Sequence, residues 1–508
     1  MASVETTPAL PINEGVAATP LRATAGRTRG WNPLAIAADI ATLGTGTLLA
    51  GLFNVALVFV VPKLLSVEDY GYWRMFSLYA GYVGFLHFGF PDGALLRWAG
   101  RPMAEFHHEI RPALKYLFWQ HVVVVVVLCA LAAVVLRGPL RFVGMAVAIY
   151  ALFTNLATLL RLGHQSARVF RPVAISTLAA PALFLGLVLM WSWKWQSDYR
   201  EVTALYATGA LIVLVFLLAW TKPWNGVRGG AGATALAKEC VLSGWPIVTA
   251  NTGVALLVYA DRLAVSWAAT IQNFAQYSLA ASAMAVPITA IQACNQAFFP
   301  HLAGVTREAR KRIYGVASRI LLMAWVVLLP YYFALELFVR RILPKYVPSL
   351  QFARIMLLGI PFLAAVQILQ MSYAYLNGMQ KQFLAQTMTV LALSLGAASF
   401  VAFTIRSLPI VAGVQIAILA VWWLINEWML RDSSGQEKRI WMRFLAVHAV
   451  ASAGYWLTTM PSARSTPASL LLYCGYAAAL LTVGCRSELR LCFKLFRGRE
   501  TQGSLGMR

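Results

Sequence analysis

The chain has 508 residues, 60% hydrophobic and only 12% charged, with a mean hydropathy of +0.67. An average soluble domain carries roughly 25% charged residues, so this composition argues against a soluble enzyme and for a chain that spends most of its length in lipid. The formal net charge of +23 invites a nucleic-acid reading, and the placement of the basic residues along the chain argues against it.

The first 39 residues are rich in Ala, Thr and Pro and carry Arg22, Arg27 and Arg29, with no short apolar core before a small-residue cleavage site. They read as a disordered cytoplasmic tail without a cleaved signal peptide. Apolar runs long enough to span a bilayer follow at 40–62, 71–92, 113–136, 141–162, 170–193, 202–220, 243–265, 274–299, 316–339, 350–375, 383–404, 408–429, 440–460 and 468–485. No ten-residue alternation of an outer-membrane barrel is present, and helices satisfy their own backbone in lipid. The expected class is an all-α polytopic membrane protein of about 14 transmembrane helices. It divides into a six-helix lobe at 40–225, a cytoplasmic linker at 226–242, a second six-helix lobe at 243–430, two extra helices within 431–485 and a basic cytoplasmic tail at 486–508. The linker carries Gly226, Gly229, Gly230 and Gly232, then an amphipathic stretch at 235–242 that reads as lying on the membrane surface. A parallel pseudo-repeat supports the division: Tyr70-Gly71-Tyr72-Trp73 after the first helix has a counterpart in Phe274-Ala275-Gln276-Tyr277, offset by 204 residues.

With the N-terminus inside, the expected cytoplasmic segments hold 29 Lys and Arg and the outer loops 10; Arg74, Arg262 and Arg354 lie in spans and complete the 42. This is a positive-inside bias that puts both termini in the cytoplasm, and it explains the basic surplus by topology and attraction to anionic inner-leaflet lipid. Nucleic acid is not an expected partner. The six cysteines are scattered without CxxC or a histidine at ligand spacing, so neither a metal site nor a disulfide framework is expected. No cofactor is expected, and a coupling ion, H+ or Na+, stays open.

Charge inside spans marks candidate functional positions, because each ionised group near the middle of a membrane helix costs about 2.5 to 3.5 kcal/mol on insertion scales; the alternative is snorkelling at the two ends of a span for Arg74 and Asp92, and an outer-rim pair that fixes helix depth for Asp261 and Arg262. In the second span Arg74 and Asp92 stand 18 residues apart, which on an unbroken helix puts them on one face about 27 Å apart, with His87 roughly 140° away. Arg97 follows at its cytoplasmic end. The seventh span carries Asn251, Asp261 and Arg262, and neighbours in sequence such as Asp261 and Arg262 seek different partners on a helix. The eighth carries Thr289, Gln292, Asn295 and Gln296 as a polar stripe, which suits a substrate path or polar glue between helices equally. Glu336 with Arg340 and Glu427 with Arg431 read as local i,i+4 pairs, and Trp191, Trp193, Trp195, Trp422 and Trp423 as interfacial belts.

Three motifs, Glu68-Asp69-Tyr70-Gly71, Gly89-Phe90-Pro91-Asp92-Gly93 and Leu96-Arg97-Trp98-Ala99-Gly100, together with Asp261-Arg262 at the start of the second lobe, resemble bacterial polysaccharide-unit (O-antigen and exopolysaccharide) flippases. These belong to the multidrug/oligosaccharidyl-lipid/polysaccharide exporter superfamily with its MATE-like fold. The resemblance implies a non-enzymatic flippase of the bacterial inner membrane, with no catalytic residue. It would move undecaprenyl-diphosphate-linked glycan from the cytoplasmic to the periplasmic leaflet by alternating access, alongside other polysaccharide-assembly membrane proteins. On that reading Arg74 and Arg262 steer the diphosphate or acidic sugars, and Asp92 and Asp261 orient or gate. A MATE-type multidrug/cation antiporter is the first alternative, disfavoured because the first helix offers Asn54 rather than an acid at mid-membrane. A membrane glycosyltransferase or polymerase is the second, disfavoured by short outer loops.

Overall fold

The computed structural model describes residues 33–193, 195–225, 233–289, 291, 302, 305–434, 438–460, 466–486 and 488–490. The described residues up to Ala41 belong to one unit and those from Thr42 onward to another; the architecture below is that of the second.

Helices α1 (Pro33–Leu64), α2 (Val67–Ala80), α3 (Phe90–Trp98), α4 (Met103–Val135), α5 (Pro139–Ser166), α6 (Phe170–Ser192) and α7 (Tyr199–Thr221) make up the first half. The second half continues with α8 (Ala233–Val258), α9 (Ala260–Ala268), α10 (Ile271–Ala283), α11 (Arg307–Leu328), α12 (Tyr331–Ile342), α13 (Ser349–Met356), α14 (Ile360–Ala364), α15 (Met371–Leu376), α16 (Gln380–Phe400) and α17 (Leu408–Ser434). Helices α18 (Lys438–Thr459) and α19 (Thr466–Ala479) follow. The described residues contain helix and no strand, as the all-α expectation requires.

Eleven helices among the described residues are long and apolar enough to cross a membrane. Their outward faces are apolar: Val134 is 84% exposed and Val483 83%, tolerable only where the surrounding solvent is hydrocarbon. Three other segments of the fourteen-span expectation differ for local reasons. The 71–92 segment is broken twice, 274–299 runs through α10 and 285–289 before leaving the described residues, and α18 opens on Lys438 and Arg439.

The 204-residue repeat recurs in the element boundaries. Helix α1 ends at Leu64 and α9 at Ala268, while α4 starts at Met103 and α11 at Arg307. The Ser66 hydroxyl caps α2 by accepting from the Asp69 N–H, and Thr270 caps α10 by accepting from the Asn273 N–H. The capping chemistry is therefore repeated where the sequence identity is not. These two equivalent helices pack on each other so closely at Gly71 that a Cβ there would lie 2.6 Å from the Ile271 carbonyl oxygen.

Two buried clusters form the interior. A large one includes Tyr70, Trp73, Phe76, Tyr277 and Tyr346; a smaller one, with Phe90, Trp98, Phe106, Leu160 and Leu217, fills the end that carries Arg97. Trp193 and Trp195 are exposed as a belt requires, whereas Trp422 and Trp423 are buried, packing on Phe383 and Phe444 respectively. The belt reading fails for that pair because they lie on the face of α17 that packs inward, whereas Trp428 on the same helix is exposed. The expected tail to residue 39 has its last residues, from Pro33, in helix, and its remainder lies outside the described residues. The 235–242 stretch is the first part of the continuous α8 rather than a separate surface helix, and 226–232 and 491–508 lie outside the described residues.

Candidate functional site

Helix breaks shape the candidate site. The expected second span stops at Ala80, resumes as a 3-10 turn over Val83–His87, passes Phe88 and Gly89 with positive φ (49° and 78°), and restarts as α3 with Pro91 in its first turn. Gly89 is needed twice over, for its left-handed backbone and because a Cβ there would lie 2.4 Å from the Gly244 carbonyl carbon. The break frees backbone carbonyls, and side-chain amides from neighbouring helices take them up. Asn155 donates to the Val83 carbonyl at 2.8 Å and Gln120 to the Leu86 carbonyl at 3.0 Å. Asn155 also bonds His121 Nε2 at 2.8 Å while His121 Nδ1 bonds the Leu117 carbonyl, which fixes the ring with Nδ1 protonated and Nε2 accepting.

The break overturns the straight-helix geometry. Arg74 and Asp92 do not occupy one continuous face, because the intervening chain is not α-helical. Asp92 instead comes within 3.8 Å of His87 Nε2, whose other nitrogen accepts from the Gly89 N–H at 3.1 Å. The residue expected to point away is the one Asp92 meets.

A second break at Tyr259 separates α8 from α9. Gln415 of α17 repairs it by donating to the Leu257 carbonyl at 2.8 Å, and its own carbonyl accepts from Ser394 at 2.9 Å. Immediately after the break stand Asp261 and Arg262, 5% and 6% exposed. As expected of sequence neighbours, they part: Asp261 accepts from the Tyr277 hydroxyl at 2.6 Å, and the Arg262 guanidinium lies 5.2 Å from the centre of the Tyr259 ring. Both line a cavity of about 60 Å³ with Tyr259, Gln415 and apolar side chains.

Arg74 of α2 comes within electrostatic range of Arg262, so the two halves bring one guanidinium each to the same region. Tyr70 lies within reach of both cations, and Tyr206 and Tyr259 within reach of Arg74. The Nε atoms of Arg74 and of Arg262 are both buried without a hydrogen-bond partner, and neither guanidinium has a carboxylate within 4 Å among the described residues. Two like charges placed together in the interior, with donors unspent, are electrostatically complementary to an anion. The aromatic wall at Arg74 is rigid: Trp73 stacks on Phe76 and Phe184, and Tyr206 meets Trp73, Phe76 and Phe184 edge-on.

The pair is enclosed along the interface between the halves. At one end Tyr79 bonds Ser266 at 3.2 Å and accepts from Trp267 at 3.1 Å, Lys345 bonds the Leu65 carbonyl, and Tyr70 packs edge-on against Tyr346. At the other end Arg97 bonds Glu109 at 2.9 Å and Glu239 of α8 at 2.6 Å, Arg101 bonds Glu109 at 3.5 Å, and Trp98 donates to Glu109 at 2.9 Å while stacking on Phe106. Below this ionic knot α3 and α8 cross backbone to backbone: a Cβ on Gly93 would lie 1.8 Å from the Cys240 carbonyl oxygen, and one on Gly244 1.9 Å from that of Gly89.

Of the residues expected to form the site, then, Arg74, Asp261 and Arg262 come together. Asp92 pairs with His87, and Arg97 ties the halves at the far end with its guanidinium engaged by carboxylates. Asn251 lines a separate cavity of about 320 Å³ with Tyr375, Gln380, Lys381 and Thr387. Gln292, Asn295 and Gln296 lie outside the described residues. Thr289 turns its hydroxyl to the Ala285 carbonyl of its own helix and its methyl toward Gly51. Glu336 holds Arg340 at 2.8 Å as the i,i+4 spacing predicts, whereas Glu427 bonds Tyr314 and Gln370 from other elements. Tyr70, quoted only as part of a motif, and Tyr206, Tyr259 and Gln415 were not among the expected site residues; a polar amide in the middle of an apolar span is the signal that could have singled out Gln415.

No family model and no curated protein matches the chain. Solved structures do. It is similar to the lipid II flippase MurJ in an inward closed conformation (TM-score 0.66, 9% identity, 88% of this chain and 99% of that one). It also resembles a MOP-superfamily transporter from Pyrococcus furiosus described as having a binding pocket of reversed polarity (0.52, 10%, 78% and 96%). A third is an outward-facing multidrug-resistance MATE transporter of the MOP superfamily (0.50, 13%, 81% and 96%). The chain therefore has the fold shared by these MOP-superfamily transporters.

Proposed function

We propose that this protein is a flippase that moves an anionic lipid-linked oligosaccharide across the bacterial inner membrane by alternating access between its two halves. The observation that carries the reading is that Arg74 and Arg262, one from each half, come within electrostatic range of each other with buried Nε donors that no acceptor among the described residues satisfies. A diphosphate linkage offers the charge-assisted acceptors these donors lack, and guanidinium forks suit phosphate oxygens. A substrate that bridges the halves also binds the closed state better than the open one, which a carrier needs. The undecaprenyl-diphosphate carrier, assembly of surface polysaccharide and the absence of catalysis follow from the sequence resemblance, both termini in the cytoplasm from the Lys and Arg bias, and all belong to the same proposal. The multidrug antiporter shares the fold, but a site with two guanidiniums and Asp261 bonded to Tyr277 repels a cationic drug.

The test reconstitutes the protein in vesicles with a lipid-linked oligosaccharide and follows loss of its sugar to a membrane-impermeant glycosidase. Wild type transfers the glycan between leaflets; Arg74→Ala and Arg262→Ala slow it at least tenfold while Arg340→Ala does not. Equal rates for all four proteins, or export of a cationic dye in place of the glycan, overturn the proposal.

A further inference from the structure

A second buried polar centre lies in the second half, away from the arginines. Glu427 of α17 is 3% exposed, and Gln370 and Tyr314 are fully enclosed. Glu427 Oε1 accepts twice, from the Tyr314 hydroxyl at 2.7 Å and from Gln370 Nε2 at 3.0 Å. Its Oε2 is buried with no partner. Gln370 Nε2 also donates to the Trp423 carbonyl at 3.0 Å, and Gln370 Oε1 is likewise buried without a partner. No cationic nitrogen lies within 4 Å of the Glu427 carboxylate among the described residues. Among the charged and titratable groups on the elements around it are Arg310 and Tyr314 on α11, Tyr373 on α15, His448 on α18 and Arg431 one turn on along α17. Arg310 sends Nη1 to the Leu376 carbonyl, Tyr373 packs edge-on to Tyr314 and donates to the Arg310 carbonyl, and His448 packs on Phe362 and Trp325.

The hydrogen-bond arrangement identifies the carboxyl's state. An ionised carboxylate is acceptor-only, so it would leave Oε2 dry and donorless, with no cation to offset burial. A carboxylic acid has an accepting carbonyl oxygen and a donating hydroxyl. Here Oε1 receives both donors, as a carbonyl oxygen should. The amide and the carboxyl already meet through Nε2 and Oε1, and each retains one unpartnered acceptor oxygen. One proton on Oε2 turns an acceptor into a donor and removes the unmatched charge.

We propose that Glu427 is a resident proton-binding site, loaded from water as carboxylate plus proton and unloaded by the reverse step, and that its loading is coupled to movement of the halves. The Gln370 partner ends a π-helical segment, Ala365–Gln370, in a span otherwise broken at Leu357–Gly359. Such bulges allow a helix to shift register locally, and any shift separates Gln370 from Glu427 and exposes the carboxyl to deprotonation. The coupling part rests on the transport reading above; the proton site does not.

The first experiment uses the purified full chain in lipid nanodiscs without substrate, and reads the infrared carbonyl stretch of protonated carboxylic acids at neutral pH. Wild type shows a band that Glu427→Gln abolishes and that Arg74→Ala and Arg262→Ala keep; Tyr314→Phe, which removes one donor from Oε1, shifts its frequency without removing it. A spectrum unchanged by Glu427→Gln overturns the proposal. So does loss of the band in wild type on adding Na+ at fixed pH, which assigns the site to sodium. The second experiment measures vesicle transport with and without a pH difference: wild type responds several-fold and Glu427→Gln does not. A Glu427→Gln protein that still responds overturns the coupling, whereas a wild type with no transport at all overturns the flippase reading and leaves the infrared result standing.

Discussion

The crossing of α3 and α8 allows the closure at the Arg97 end to be tested by adding a single carbon. A Cβ on Gly244 would lie 1.9 Å from the Gly89 carbonyl oxygen and 2.5 Å from the Gly93 nitrogen, both backbone atoms that no rotamer change can move. The shortest comfortable carbon–oxygen approach is about 3.3 Å, so Gly244→Ala requires the helices to separate by roughly 1.4 Å. Overpacking of this kind costs typically about 1 to 3 kcal/mol, which shifts a two-state closure by about 5- to 150-fold toward the open form. Nature supplies the reporter, since Cys240 is 1% exposed and its carbonyl lies under Gly93 in the same crossing. With the other five cysteines replaced, Gly244→Ala should speed maleimide labelling of Cys240 by at least fivefold, with the protein still folded by its thermal melt. Gly71→Ala, which strikes the Ile271 carbonyl at the opposite end, should leave that rate equal or lower. Labelling that rises equally in both variants would falsify closure at two independent ends and reduce both glycines to packing sites.

Replacing Asn155 by Leu strands the Val83 carbonyl and His121 Nε2 in the interior, at about 1 to 3 kcal/mol for each buried group, and should lower the thermal midpoint by a few degrees. An unchanged melt would mean the 3-10 turn does not depend on that amide. Gln415→Leu should do the same at the other break, and should also weaken glycan binding, because Arg262 follows three residues after the Tyr259 break. The Arg97–Glu239 pair, partly exposed, contributes at most about 1 kcal/mol. Glu239→Ala as a single variant, which leaves the Arg97–Glu109 bond in place, should therefore alter transport rate more than stability. A melt that drops steeply for the single variant would show the pair to be structural. Loss of one guanidinium from the arginine pair, measured as glycan affinity by fluorescence titration, should cost about ten- to a hundredfold, less at high salt; a salt-independent loss would speak for a packing role.

The all-α membrane class was legible because hydropathy acts on residue type alone, and Arg74 and Arg262 stood out as candidates because charge within a span is costly whatever its surroundings. The Asp92 geometry was not. Helical arithmetic assumes an unbroken helix, and although Gly81, Gly84, Gly89 and Pro91 were in view, glycine is also common in continuous membrane helices. Only the amide repairs at Asn155 and Gln120 show that this span is built to be broken. Glu427 failed for a related reason: the i,i+4 spacing to Arg431 described a partner along one helix, whereas burial turned the carboxyl toward Tyr314 and Gln370 on other elements.

The positions of the breaks connect fold and mechanism. Each places a charged residue just beyond an amide-repaired gap: Asp92 after the Val83–Gly89 interruption, and Asp261 and Arg262 after Tyr259. A continuous helix in lipid resists bending because every backbone group is paired within it, whereas a gap held by borrowed amides, one at Tyr259 and two at Val83–Gly89, can open for about 1 kcal/mol per hydrogen bond. On the transport reading proposed above, the halves would hinge where the charges stand, and an anion drawing Arg74 and Arg262 together would act next to the α8–α9 break. On the same reading a charge-assisted bond worth about 1.5 to 3 kcal/mol would exceed that hinge cost, so substrate binding at the arginines would bias which end of the interface is closed.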